Sequence, residues 1–159
     1  MNGLTIREGV LRDRASLDEL FREELEYHMN LQPDVFKIPD TVVSEKWLKA
    51  IINDNNIFLG ISEYNGKIVG AILYKIDKNP EDNILKERKF VYVEDMIVSE
   101  SFRGKGIGKK LLNYAIKHVK TKDIKEIEID VGDNNEVGLR FYKEQGFKTI
   151  RRRMKKEIV

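Results

Sequence analysis

The residues Arg103, Gly104, Lys105, Gly106, Ile107, Gly108 and Lys109 form a glycine-rich turn between two different patterns. Before it, residues 90–98 (FVYVEDMIV) are β-branched and aromatic, as in a strand. After it, Ile107, Leu111, Leu112, Ala115, Ile116 and Val119 recur at helical spacing. Glycines let a backbone approach a ligand closely, and a helix N-terminus offers free N–H groups with a partial positive charge. Together they suit a phosphate or pyrophosphate. A plain structural turn is the alternative reading. The spacing excludes two phosphate motifs. A dinucleotide fingerprint needs a third glycine where Lys109 stands, and a nucleotide P-loop needs Ser or Thr where Lys110 follows Lys109.

The remaining pattern, Arg103-x-x-Gly106-x-Gly108, resembles the coenzyme A pyrophosphate loop of the GNAT N-acetyltransferase superfamily. A second stretch, residues 135–147 (NEVGLRFYKEQGF), resembles that family's fourth-helix motif, with Gly138 where alanine is usual. The resemblance is sharp between residues 90 and 147 and loose over the rest of the 159 residues.

Acetyl transfer from a thioester to an amine needs a neutral amine, a polarised carbonyl and a proton for the departing thiolate. Glu94 and Asp95 are adjacent carboxylates in an apolar strand, so alternation sends them to opposite faces. Each could simply pair with a lysine or arginine. The resemblance implies Glu94 as general base, through water, with Asp95 binding a cationic acceptor. Partial burial would raise the pKa of Glu94. The resemblance also implies Tyr142 as general acid, because a tyrosine is protonated at neutral pH; packing against the sheet is the alternative. Coenzyme A would pair with the backbone of Met96, Ile97 and Val98 by strand addition. Its pyrophosphate would lie on residues 103–109, with charge-assisted help from Arg103 and Lys105, and Asn135 would touch the pantetheine arm. Tyr27, His28, Gln32 and Phe36 would wall the acceptor pocket. His28 and His118 also read as ordinary packing and surface residues. Two histidines without ligand-spaced partners give no metal site.

The elements that must position these residues follow from pattern. Residues 4–7 read as a strand. Ser16-Leu17-Asp18-Glu19 reads as a capping box opening a helix that Pro33 ends. A second helix is expected over 43–53, burying Trp47, Leu48, Ile51 and Ile52. Strands 57–64 and 67–76 flank Asn65-Gly66, a hairpin dipeptide. Residues 77–89 read as a solvated loop, 126–131 as a strand, and the last helix begins at Asn134 or Asn135. Residues 147–158 supply one or two final strands. The expected architecture is one α/β (α+β) domain over residues 1–159. It has a mixed, twisted sheet of six or seven strands, with about four helices on both faces.

Composition narrows the function. The 29 basic and 27 acidic residues leave +2, too weak a field for a dedicated nucleic-acid binder. The run 151–156 (RRRMKK) could contact RNA, or could keep an edge strand from pairing with other chains. The absence of cysteine removes disulfides, thiolate metal sites and a cysteine nucleophile, and is compatible with a cytoplasmic protein. The start shows no signal-peptide core, and no stretch reaches the ~20 apolar residues of a membrane span. The expectation is a cytoplasmic acetyl-CoA-dependent N-acetyltransferase. It would use no metal, act by direct ternary-complex transfer on a small cationic amine, and be compatible with a homodimer. The alternatives are a protein N-terminal or lysine acetyltransferase and a non-catalytic acyl-CoA-binding module.

Overall fold

The computed structural model describes residues 3–79, 83–84 and 86–158. One five-stranded sheet runs in the order β1-β2-β3-β4-β5. It comprises β1 (Leu4–Glu8), β2 (Ile57–Tyr64), β3 (Lys67–Asn79), β4 (Arg88–Val98) and β5 (Ile127–Ile129). Neighbours are antiparallel except β4 and β5, which are parallel. Four α-helices accompany it: α1 (Arg14–Leu31), α2 (Glu45–Asn53), α3 (Ile107–Lys120) and α4 (Glu136–Glu144). Leu17 and Leu20 of α1 and Leu48 and Ile51 of α2 pack on one face with Leu59, Ile61, Leu73 and Ile97. On the other face α3 lays Ile107, Leu111, Ala115 and Val119 against Val69, Ile72, Val91 and Val93.

Several elements depart from the sequence reading. The sheet has five strands among the described residues, not six or seven, because residues 147–158 form no strand and their backbone from 148 onward makes no ladder. Ser16 does not cap α1. The helix starts three residues earlier, where buried Asp13 accepts from Arg7 at 2.7 Å and from the Val10 N–H at 2.9 Å. Asp18 instead accepts from the N–H groups of Val42 and Val43 at 2.8 and 2.7 Å, fastening α1 to the segment before α2. α2 starts later than expected, with Ser44 accepting from the Trp47 N–H, and Ile52 stays 41% exposed. β3 continues to Asn79 and β4 begins at Arg88, so only the middle of the expected 77–89 loop remains; Pro80, Glu81, Asp82 and Leu85 lie outside the described residues. The hairpin is as expected: Asn65 and Gly66 have φ of 49° and 80°, the positive pair that a two-residue turn requires.

Candidate active site

The site begins with an irregularity in β4. Leu73 pairs with Asp95 but Tyr74 pairs with Val93, so Glu94 is the extra residue of a bulge. Alternation therefore fails here. Lys75, opposite Tyr92, holds Glu94 at 3.0 Å, and Leu73, opposite Asp95, belongs to the core under α1. Both carboxylates thus lie on the α1 side of the sheet, rather than on opposite faces. A period-2 reading of the sequence does not reveal the bulge.

Their surroundings differ. Glu94 has a cation, in an ion pair with Lys75. Asp95 has acids: burial first, then the carboxylates of Glu24 and Glu94, push its pKa up to about 6, with His28 pulling the other way. Glu24 comes from α1 and sits at the centre of the group. It bonds His28 Nε2 at 3.1 Å and lies 3.7 Å from Arg103. The bond to Glu24 raises the pKa of His28 despite its partial burial. In the sequence Glu24 falls in the apolar stripe of α1, with no role assigned to it. An acid inside such a stripe, four residues before a histidine, is the signal that marks it.

Tyr142 reaches the same group from α4. Its ring meets Phe141 and Phe147 at 5.1 and 5.3 Å. Burial, then Glu24 and Asp95, push its pKa further above the ordinary tyrosine value. The hydroxyl stays protonated and has no hydrogen-bond partner among the described residues. His28 meets Tyr27 edge-on at 5.7 Å and the tilted ring of Phe36 at 5.4 Å. Gln32 turns away to Asn134, at 3.3 Å. His118 lies apart from this group, with Nδ1 2.8 Å from the Tyr74 hydroxyl.

The turn before α3 has the form of an anion cradle. Gly104 and Gly106 have φ of 73° and 77°, and a Cβ on either would meet nothing within 4 Å. No side chain caps α3, and the first helical bond runs from the Lys110 N–H to the Gly106 carbonyl. The N–H groups of Ile107, Gly108 and Lys109 therefore lack intrahelical partners. Arg103 and Lys105 are turned back onto the protein. Arg103 Nε donates to the Val98 carbonyl at 3.0 Å and its guanidinium stacks on Tyr27 at 5.2 Å. Lys105 Nζ donates to the Ser101 carbonyl at 2.9 Å. Gly108 serves packing instead. A Cβ there would press on the Phe141 ring at 3.3 Å, so the glycine lets α3 and α4 meet.

β5 pairs with β4 only from Val91 to Val93. Beyond that point the strands part, and the β5-facing edge of Met96, Ile97 and Val98 has no strand beside it. Asn135 caps α4, its Oδ1 accepting from the Gly138 N–H at 2.9 Å and from the Tyr27 hydroxyl at 3.2 Å. A Cβ on residue 138 would lie 2.9 Å from the Asn135 side-chain amide, whose end can shift to admit one. The open glycine turn, the uncapped helix and the free strand edge fit an extended pyrophosphate-bearing ligand with amide groups. Among the described residues no group of three or more His, Cys, Asp or Glu side chains is placed to hold a metal ion. No helix there is long and apolar enough to cross a membrane.

The family described as Acetyltransferase (GNAT) family matches residues 16–147. An uncharacterized N-acetyltransferase of Methanocaldococcus jannaschii is 37% identical over 102 residues, covering 64% of this chain and 42% of that protein. The chain thus spans less than half the length of that relative. The spermine/spermidine N(1)-acetyltransferase of Bacillus subtilis is 31% identical over 86 residues, 53% of this chain and 55% of its own length. Among solved structures, a tetramutant of the BH1408 protein from Bacillus halodurans superposes with a TM-score of 0.92 at 25% identity, covering 97% of this chain and 99% of that one. An aminoglycoside acetyltransferase from an uncultured soil metagenomic sample, in complex with sisomicin, superposes with a TM-score of 0.70 at 21% identity, over 99% and 97% of the two chains.

Proposed function

The chain belongs to the acetyltransferase (GNAT) family, and from that premise we propose that it transfers an acetyl group from acetyl-CoA directly to the primary amine of a small cationic acceptor. One observation carries the proposal: the carboxylate of Asp95, with no cation bonded to it among the described residues, stands at the bulge of β4 just before the edge that β5 leaves uncovered, and the Tyr142 hydroxyl is near enough to feel its charge. An ammonium group would be drawn to Asp95, whereas Glu94 and Glu24 already hold Lys75 and His28; relatives named for spermine and spermidine and a fold neighbour bound to sisomicin act on or bind molecules with several amines.

Acetyl-CoA, when bound, supplies the acetyl group and carries away the sulfur. The N–H groups of Ile107, Gly108 and Lys109, with Gly104 and Gly106 leaving room, would hold its pyrophosphate. The backbone groups of Met96 and the N–H of Val98, which face away from β3, would pair with its amides, while the Ile97 backbone is held by β3 and the Val98 carbonyl by Arg103; Asn135 Nδ2 remains free to reach the same arm. Asp95 receives the acceptor's ammonium between His28, Tyr27 and Phe36. Glu94 takes a proton from the nitrogen through water, leaving a lone pair to form the C–N bond as the C–S bond breaks. Tyr142 Oη returns a proton to the sulfur. A second assignment of the base has its own support: Asp95, with a pKa of about 6, is poised to accept a proton near neutrality.

A panel of polyamines, aminoglycosides, amino-acid amines and peptides with acetyl-CoA tests this reading, following thiol release and the mass of the product. Small polyamine-like acceptors should be acetylated. Acetylation of peptides alone would assign a protein acceptor, and thiol release with no acetylated product would remove the transferase reading.

A further inference from the structure

Arg103 opens the glycine turn, yet its side chain bonds outside it. Nε donates to the Val98 carbonyl at 3.0 Å, the guanidinium carbon lies 5.2 Å from the centre of the Tyr27 ring, and a terminal nitrogen stands 3.7 Å from Glu24. Val98 is the last residue of β4, and its carbonyl faces away from β3. Arg103 thus closes the far end of the uncovered edge. An extended chain adding there finds Met96 and the Val98 N–H, and must leave the edge at Val98, toward the turn. A lysine could not do the same, because only a planar fork stacks on a ring while two of its nitrogens serve separate acceptors.

Each partner of Arg103 leads on to another group. Glu24 pairs with His28 Nε2 at 3.1 Å. Tyr27 meets the His28 ring edge-on and donates from its hydroxyl to Asn135 Oδ1 at 3.2 Å. Asn135 caps α4, the helix of Tyr142. Further contacts run the same way: Glu23 accepts from the Glu100 N–H, and Asn134 Nδ2 donates to the Leu31 carbonyl at 3.0 Å. The second half of α1 therefore joins the segment after β4 to the segment after β5, the two strands that part beyond Val93.

We propose that Arg103 is a positioning residue that sets the acceptor wall from the cofactor loop: it holds Glu24 and Tyr27, and through them His28 and the start of α4, rather than the cofactor's phosphates. That the wall receives an amine rests on the acetyl-transfer reading above, whereas the link between the loop and α1 does not.

Two measurements on the full chain separate these. Arg103→Met keeps an unbranched side chain but neither the charge nor the donors. With spermidine as acceptor it should raise the KM for the amine about tenfold or more, and leave kcat and the calorimetric affinity for acetyl-CoA within about threefold of the parent. Arg103→Lys restores the charge without the fork and should resemble Arg103→Met. The His28 ring gives a readout that needs neither amine nor turnover. It faces Glu24 of its own helix, Asp95 of β4 and, beyond Glu24, Arg103. Removing the Arg103 charge leaves Glu24 to His28, so the His28 pKa followed by NMR titration should rise in Arg103→Met and fall in Glu24→Gln. Acetyl-CoA affinity lost in Arg103→Met and recovered in Arg103→Lys would make Arg103 a phosphate ligand and overturn the proposal. So would a His28 titration that Arg103→Met does not move, or a lower kcat with the amine KM unchanged. A parent that acetylates no amine would instead overturn the transfer reading, and the His28 titration would still decide the role of Arg103.

Discussion

Replacing the Tyr142 hydroxyl by hydrogen removes an oxygen that bonds nothing among the described residues while the ring keeps its contacts with Phe141 and Phe147. Tyr142→Phe should therefore retain cofactor affinity and slow transfer by about 10²–10⁴-fold, the range for a general acid. Single-turnover rates within a few-fold of the parent would return Tyr142 to a packing role. The two carboxylates of β4 separate by the parameter they move. Glu94→Gln should lower kcat, most at low pH where little amine is neutral. Asp95→Asn should chiefly raise the KM for the amine. The opposite division, with the rate limb near pH 6 lost in Asp95→Asn, would make Asp95 the base. The residue types of this site are readable in the sequence, because Glu94 and Asp95 stand out in an apolar strand and Tyr142 lies in the stretch 135–147 that resembles the family's helix motif. Their partners are not. Lys75 and Glu24 come from other elements, and only tertiary packing decides that one carboxylate meets a cation and the other meets acids.

At the scale of elements, the bulge in β4 and the turn before α3 do the positioning. Gly106 is the N-cap of α3 at φ 77°, with open space where its side chain would stand. A β-branched residue is strained in that conformation, by roughly 1–3 kcal/mol. Its side chain would occupy the anion's place rather than strike protein. Gly106→Val should thus fold with a somewhat lower Tm and bind acetyl-CoA at least tenfold more weakly. Unchanged affinity by calorimetry would move the pyrophosphate elsewhere. The N-terminus of α1 makes a structural counterpart. Asp13 is 6% exposed and takes both guanidinium nitrogens of Arg7 at 2.7 and 2.9 Å. Burial alone would raise its pKa, but the Arg7 bonds and the Val10 N–H hold it below the carboxylate range. Asp13→Ala leaves Arg7 with Glu63 alone and should cost about 2–4 kcal/mol, measured by urea unfolding. A loss below ~1 kcal/mol would mean that solvent replaces the pair. Ser16-x-x-Glu19 misplaces this helix start because a capping box is a local signal, whereas Arg7 and Asp13 meet through the β1–α1 turn.

For the whole molecule, the order of elements is legible from β1 to α4, since alternation, helical stripes and Asn65-Gly66 are local. Residues 147–158 are the exception: the sequence reading places one or two strands there, whereas the structure forms none, and the apolar residues Phe147, Ile150, Met154 and Ile158 are spaced three or four apart rather than alternating. Stability should also register the site. Asp95 has its pKa raised from 3.8 to about 6, chiefly by burial. In the unfolded chain the group would titrate near the ordinary value. Between about pH 4 and pH 6 the folded protein therefore holds a proton that the unfolded chain releases, so stability falls as pH rises through this window and stays lowered above it. At ~1.4 kcal/mol per pKa unit the penalty at neutral pH is at most ~3 kcal/mol, reduced by residual solvent. Asn keeps the shape and cannot ionise. Asp95→Asn should accordingly match the parent's Tm near pH 4 and exceed it progressively up to pH 6–7, while losing acceptor binding. Stability gained as binding is lost is the pattern expected of a charge kept among like charges to attract a cation. A Tm difference independent of pH, or one favouring the parent at neutral pH, would show that Asp95 is compensated in the fold and not held in reserve for a ligand.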